Sequence, residues 1–229
     1  MITDADAAIN RGGKIIAESL KNGSPTGQFD AVIFDLLTAL IDSWTLWNDV
    51  AGSEEDGLRW RKEYLRLTYG AGAYRPYETI VAEAAAAAEI NNEAAGELAR
   101  RWNELKPWPE THRVLTELHN HAMLGVVTNC SVKLGHAAAE SVFSDFQVVV
   151  TAEEAGFYKP RRETYAKTLV ALGTDTARTL FVAGSAADVP GASALGMPVY
   201  WHNRIGLPAV DDVSPTYMER TLDQLLTLV

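Results

Sequence analysis

An α/β fold with a mostly parallel sheet, opened after its first strand by a helical insertion, is predicted by three features of the sequence. Short apolar runs rich in β-branched residues, AVIFDLLTALI, MLGVVTNC, FQVVVTA, TLFVAG and MPVYW, recur along the chain with helix-compatible stretches between the later ones. From about Trp44 to Leu105 the alternation stops, and alanine, leucine, glutamate and arginine dominate with few strand signals. Polar residues fall at the ends of the strand candidates, where open parallel sheets gather their functional groups.

Each element follows from its local pattern. Residues 1–28 read as an extension outside the core: IIAESL allows a short helix within residues 1–19, and KNGSPTG then breaks it. Val32, Ile33 and Phe34 make a buried strand that delivers Asp35 to its end. Residues 44–106 form the helical insertion, in which the five alanines Ala84 to Ala88 suit close helix packing. KPWPE ends that block, and Thr111 to Asn120 reads as a helix. The strand MLGVVTNC, an alanine-rich helix to about Val142, the strand FQVVVTA and a loop through GFYKP come next. A helix over Glu163 to Ala171, the strands TLFVAG and MPVYW, and a terminal helix over MERTLDQLLTLV complete the chain. The core is therefore assigned to residues 29–43 and 107–229, with the insertion at 44–106 able to cover the crevice beyond Asp35.

Bulk properties narrow the function. A 229-residue chain with 47% hydrophobic residues buries a substantial core. Thirty acidic against twenty basic residues give a formal charge of -10, which argues against a general nucleic-acid binder. The single cysteine, Cys130, excludes an intrachain disulfide framework, and no apolar run reaches the roughly 20 residues that span a bilayer. The N-terminus does not read as a secretory signal, so a soluble cytoplasmic protein is expected. His112, His119, His121, His136 and His202 follow no zinc spacing, and Cys130 has no histidine motif to activate it. The strand-end candidates are Asp35, Thr128 with Asn129, Lys159, and Ser185 with Asp188.

The order and wording of these stretches resemble the haloacid dehalogenase (HAD) superfamily, and within it the L-2-haloacid dehalogenase group, over roughly residues 30–209. FDLLTALIDS resembles the first motif, with Asp35 at the nucleophile and Asp42 at the later acidic position. VVTNCS resembles the second, with Thr128 and Asn129 at its hydroxyl and amide positions. FYKPRRETY resembles the third, with Lys159 as its lysine and Tyr165 at a dehalogenase tyrosine. FVAGSAADVPGASALGMPVYWHNR is similar to the fourth, placing Asp188 at the retained aspartate, Ser185 beside it and Arg204 at the end of its continuation. In the insertion, LRWRKEYL resembles the cap segment whose arginine receives the substrate, which places Arg61 there.

The resemblance implies a HAD-like Rossmannoid core under a helical cap, and a hydrolase whose substrate is a small anionic organic acid. Asp35 would attack carbon, Lys159 would keep it charged and oriented, and Asp188 would activate the water that cleaves the ester, with Ser185 aligning it. Thr128 and Asn129 offer donors to a carboxylate or leaving group, and Arg61 a paired hydrogen bond to a carboxylate. No metal, cofactor, nucleic acid or membrane is expected, and cap-containing relatives often pair as homodimers.

Departures from the family phrases sharpen the choice. Phosphatases of the superfamily commonly keep a second aspartate two places after the nucleophile and an acidic residue in motif four; here those positions hold Leu37 and Gly184. Both losses disfavour magnesium-dependent phosphatase chemistry. The dehalogenase phrases also differ, with Leu37, Thr38 and Ala39 in motif one, and Ala183, Gly184 and Ser185 in motif four. Three alternatives to a 2-haloacid dehalogenase stay open at this point: a phosphatase, a related hydrolase with a non-halide leaving group, and a binding protein that has lost catalysis.

Overall fold

The computed structural model describes residues 27–210 and 212–229. The helix expected within residues 1–19 lies outside the described residues. Strand β1 (Ala31–Phe34) is the middle of a six-stranded sheet and is buried on both faces, as a continuous apolar run in a parallel sheet must be. It pairs in parallel with β4 (Met123–Thr128) on one side and with β6 (Thr179–Ala183) on the other. Strand β5 (Val148–Thr151) lies outside β4, and β7 (Val199–His202) and β8 (Tyr217–Glu219) follow β6, every pairing being parallel. The chain thus runs from β1 out to β5 on one side, then crosses to β6 on the other. That reversal opens a crevice at the carboxyl end of β1, the place where Asp35 emerges.

Between β1 and β4 the chain leaves and returns through two short paired strands, β2 (Ile41–Asp42) and β3 (Lys106–Pro107). Four helices lie between them: α1 (Ser43–Ala51), α2 (Glu54–Gly70), α3 (Tyr77–Ala87) and α4 (Ala94–Arg100). Asp42 and Ser53 cap α1 and α2 by accepting from the backbone N–H groups of Thr45 and Asp56. In the alanine run, Ala84, Ala85 and Ala88 are buried while Ala86 and Ala87 face water, the helical spacing expected of close packing. Among the described residues no helix is long and apolar enough to cross a membrane.

The remaining helices are α5 (Thr111–Leu118), α6 (Val132–Val142), α7 (Ala152–Ala155), α8 (Arg162–Leu172) and α9 (Asp188–Ala194). They cover both faces of the sheet: Val32 and Phe34 belong to one core, Ala31 and Ile33 to the other. The terminal helix expected over MERTLDQLLTLV does not form. Tyr217–Glu219 instead adds to the open edge of β7 in register Tyr200 to Tyr217, and only Asp223–Thr227 turns into a short 3-10 helix. Tyr200 donates its hydroxyl to the Thr221 carbonyl, and Leu222 and Leu225 are buried, so edge pairing and anchoring outweigh local helical preference. Arg204 pairs with Glu110 at 2.8 Å and stacks over Trp108, which makes it a fastener of the core.

Candidate active site

Directly after β1 the backbone tightens into a single π-helical turn, Leu36–Leu40, and Asp35 is its N-cap. The first N–H groups of such a turn have no partners within it, and here they point back at the carboxylate. Asp35 Oδ2 accepts from Thr38 N at 2.8 Å, Thr38 Oγ1 at 2.7 Å and Ala39 N at 3.1 Å. Thr38 at the altered motif position therefore supplies a hydroxyl contact to the same carboxylate.

Gly184 explains itself sterically. A Cβ there would lie 2.1 Å from both Ala39 N and the Thr38 carbonyl carbon, so the strand-end loop after β6 packs directly on the turn that holds Asp35. Gly184→Ala is expected to cost about 3 kcal/mol or more through overpacking against backbone that cannot retreat cheaply. Chemical denaturation of the purified variant measures it, and a midpoint equal to wild type would refute the close approach.

Lys159 bridges two carboxylates. Its buried Nζ donates to Asp35 Oδ1 at 2.7 Å and to Asp188 Oδ2 at 2.9 Å. The Asn129 side chain grips the lysine's backbone, accepting from Lys159 N at 2.6 Å and donating to Lys159 O at 3.1 Å, and so fixes where the ammonium sits. Burial pushes the Asp35 carboxyl up, but the Lys159 charge and the bonds from Lys159 and Thr38 outweigh it and hold Asp35 below the usual range. Asp188 has only Lys159 to offset burial and also faces the Asp35 charge, and its carboxyl is pushed up to about 6. Burial disfavours the charged form of Lys159, yet the two carboxylates prevail and keep it protonated.

The helices between β2 and β3 form the opposite wall. Arg61 on α2 is buried, with its guanidinium over the rings of Trp44 at 4.1 Å and Trp47 at 4.5 Å. Its Nη2 donates to Ser43 Oγ at 2.7 Å, and no carboxylate pairs with it among the described residues. Burial pulls its pKa down to about 10, still far above neutrality, so it stays charged. Tyr64 ties this wall to the core by donating to the Asn129 carbonyl at 2.9 Å. The space enclosed between Asp35 and Arg61 is a cavity of about 60 Å³.

Of the eight residues singled out from sequence, six line this cavity: Asp35, Arg61, Asn129, Lys159, Ser185 and Asp188. Thr128 and Tyr165 do not. The Thr128 side chain packs toward Gly135, and the Tyr165 ring meets Phe181 edge-on while its hydroxyl lies toward Gly191. Sequence reading missed Thr38 as a carboxylate anchor and Ser43, Trp47, Tyr64 and Tyr77 in the wall. Tyr64 follows Arg61 by one helical turn on the same helix, which was an available signal; the others lie on neighbouring elements that only the fold brings together. The cysteine and four of the histidines lie elsewhere; His202 is buried and its Nδ1 meets the Ala39 carbonyl at 2.8 Å, behind the turn.

Among the described residues no three His, Cys, Asp or Glu side chains are grouped so as to hold a metal ion such as the magnesium of phosphatases. The Asp35 and Asp188 oxygens are bridged by an ammonium, and no carboxylate can replace hydrogen at Gly184 without colliding with the turn. The structure thus gathers a carboxylate, a lysine and a second carboxylate at the strand ends of a parallel α/β core. The family model for haloacid dehalogenase-like hydrolases matches residues 32–202, and the chain belongs to that family, a hydrolase family.

Curated relatives are similar over most of their length. Haloacetate dehalogenase H-2 of Moraxella sp. (strain B) is 27% identical over 221 residues, covering 88% of this chain and 98% of the relative. The (S)-2-haloacid dehalogenase of Pseudomonas putida is 25% identical over 217 residues, covering 85% and 93%. A crystal structure of an L-2-haloacid dehalogenase superposes with a TM-score of 0.77 at 26% identity, covering 87% of this chain and 98% of that one. The Xanthobacter autotrophicus L-2-haloacid dehalogenase, at 21% identity and a TM-score of 0.76, covers the same shares and speaks for the fold.

Proposed function

We propose that the protein hydrolyses short 2-haloacids, (S)-2-haloacids above all, without a metal and through an ester on Asp35. The observation that carries this reading is the asymmetry of the Asp35 carboxylate: Oδ2 accepts three hydrogen bonds from its own turn, whereas Oδ1 accepts only Lys159. Oδ1 keeps lone pairs for attack. It would displace halide from C2, the C–O bond forming as the carbon–halogen pair leaves with the halide, and C2 inverts.

Ester cleavage follows from the same geometry. Asp188 takes a proton from water as the water oxygen attacks the Asp35 carboxyl carbon, and the negative charge that develops falls on Oδ2. Oδ2 already sits against Thr38 N, Thr38 Oγ1 and Ala39 N, the donor arrangement of an oxyanion hole. Collapse breaks the bond to Oδ1, which departs as the hydroxyl of the product and takes back the proton held by Asp188. Arg61 across the cavity would hold the substrate carboxylate. A cavity of about 60 Å³ admits on the order of five water-sized groups, the bulk of a haloacetate or halopropionate. The names of the Moraxella and Pseudomonas relatives agree with that size class.

The test is halide release from chloroacetate and from each enantiomer of 2-chloropropionate, with a chelator present and D35N as control. Release from chloroacetate and the (S) enantiomer, absent in D35N, is expected. Silence toward all three overturns the reading, and magnesium-dependent release of phosphate from small monoesters would favour a phosphatase instead.

The two carboxylates also set the pH profile. Asp188 acts as a base only when ionised, and its carboxyl is pushed up to about 6, whereas Asp35 is held low and stays a nucleophile in more acid solution. In single-turnover experiments the rate of ester cleavage is therefore expected to be flat above about pH 6. Below that it should fall about tenfold per pH unit, while ester formation persists.

A further inference from the structure

Several buried hydroxyl and indole N–H groups find acceptors within the protein. Tyr64 and Tyr158 donate to the carbonyls of Asn129 and Arg75, and Trp60, Trp102 and Trp108 to those of Val81, Leu134 and Thr38. Among the described residues six buried side-chain polar atoms have no partner; those of Thr128, Tyr165 and Trp201 lie apart from the cavity, whereas Trp47 Nε1, Arg61 Nε and the Tyr77 hydroxyl belong to side chains that all line it. A buried donor left unpaired costs free energy that a bound acceptor recovers. The three belong to one cluster, since the Arg61 guanidinium lies over the Trp47 ring and the Tyr64 ring stands between Trp47 at 5.7 Å and Tyr77 at 5.8 Å.

Their chemistry selects the ligand. Trp47 Nε1 and Arg61 Nε can only donate, and the Tyr77 hydroxyl can donate beside them, so the best complementary end of a ligand is rich in acceptors. An ionised carboxylate offers about four lone-pair sites on two oxygens, enough for an Arg61 edge and a further hydroxyl and N–H. An amide end would bring an NH2 group from which neither Trp47 Nε1 nor Arg61 Nε can accept. Burial pushes the Tyr77 phenol far above its ordinary pKa, so the donor persists at any working pH.

We infer that Tyr77, with Trp47 beside it, completes the Arg61 receptor for the substrate's carboxylate and makes the site selective for acids over their amides. This rests on the reading of the cavity as a site for 2-substituted acids. Tyr77 is then a specificity-determining residue, contributing hydrogen bonding from its hydroxyl and packing from its ring.

The test titrates (S)-lactate, lactamide and bromide into wild type and Y77F by calorimetry, with thermal midpoints and wild-type halide release measured in parallel. Wild type is expected to prefer lactate to lactamide, and Y77F to bind lactate about tenfold or more weakly while binding bromide as before. The Y77F midpoint should equal or exceed that of wild type, because the hydroxyl it removes has no partner in the free protein. Unchanged lactate affinity, no lactate binding in wild type, or weakened bromide with lactate unaffected would each overturn the inference. Halide release with lactate affinity unchanged in Y77F would leave the dehalogenase reading standing; lactate binding that depends on Tyr77 with no halide release would do the reverse.

Discussion

Asp35→Asn is expected to lower halide release on the order of ten-thousand-fold or more, because an amide neither attacks C2 nor forms the ester. The substitution is a clean one. The asparagine oxygen can still accept from Thr38 and Ala39, and Lys159 retains Asp188 as a partner at 2.9 Å. The buried charges then balance one to one, so the fold should hold. Steady-state kinetics beside a denaturation curve check both halves, and a folded D35N with wild-type turnover would remove Asp35 from the chemistry.

Lys159→Met is expected to damage stability and rate together. Two buried carboxylates lose the ammonium bonded to both, and breaking a buried pair in this way costs about 3–5 kcal/mol. The sign of the pH effect follows. Without the ammonium both carboxyl pKa values rise, so the folded variant takes up protons more readily than its unfolded chain as the pH falls. Its deficit against wild type should therefore shrink from neutral pH toward pH values near those of ordinary carboxylates. Denaturation midpoints of both proteins across that range are the measurement, and a deficit that grows on acidification would contradict the bridge.

Much of this site is legible without coordinates because its main chemistry sits at strand ends in a recognisable order. Asp35 lies 124 residues before Lys159 and Asp188 29 residues after it, yet the resemblance brings the three to one place and the structure finds them joined through one ammonium. Thr38 and Gly184 show where such reading stops. As letters they are departures from a family phrase; in space Thr38 bonds the carboxylate twice, and at position 184 only a glycine lets the two backbones meet. Thr128 and Tyr165 show the other side of this: a motif position gives proximity but not side-chain direction, and neither side chain lines the cavity in the structure. The C-terminal segment was misread for a different reason: its apolar spacing suits a helix, but an open edge on β7 is invisible to local pattern.

One turnover in water carrying the heavy oxygen isotope shows whether oxygen reaches the substrate from Asp35. With enzyme in excess over (S)-2-chloropropionate, the account expects the label in the Asp35 carboxylate, seen by mass spectrometry of the peptide that contains it, and an unlabelled hydroxyl in the product. Label in the product with none in Asp35 would mean that water attacks C2 directly, and would contradict the account.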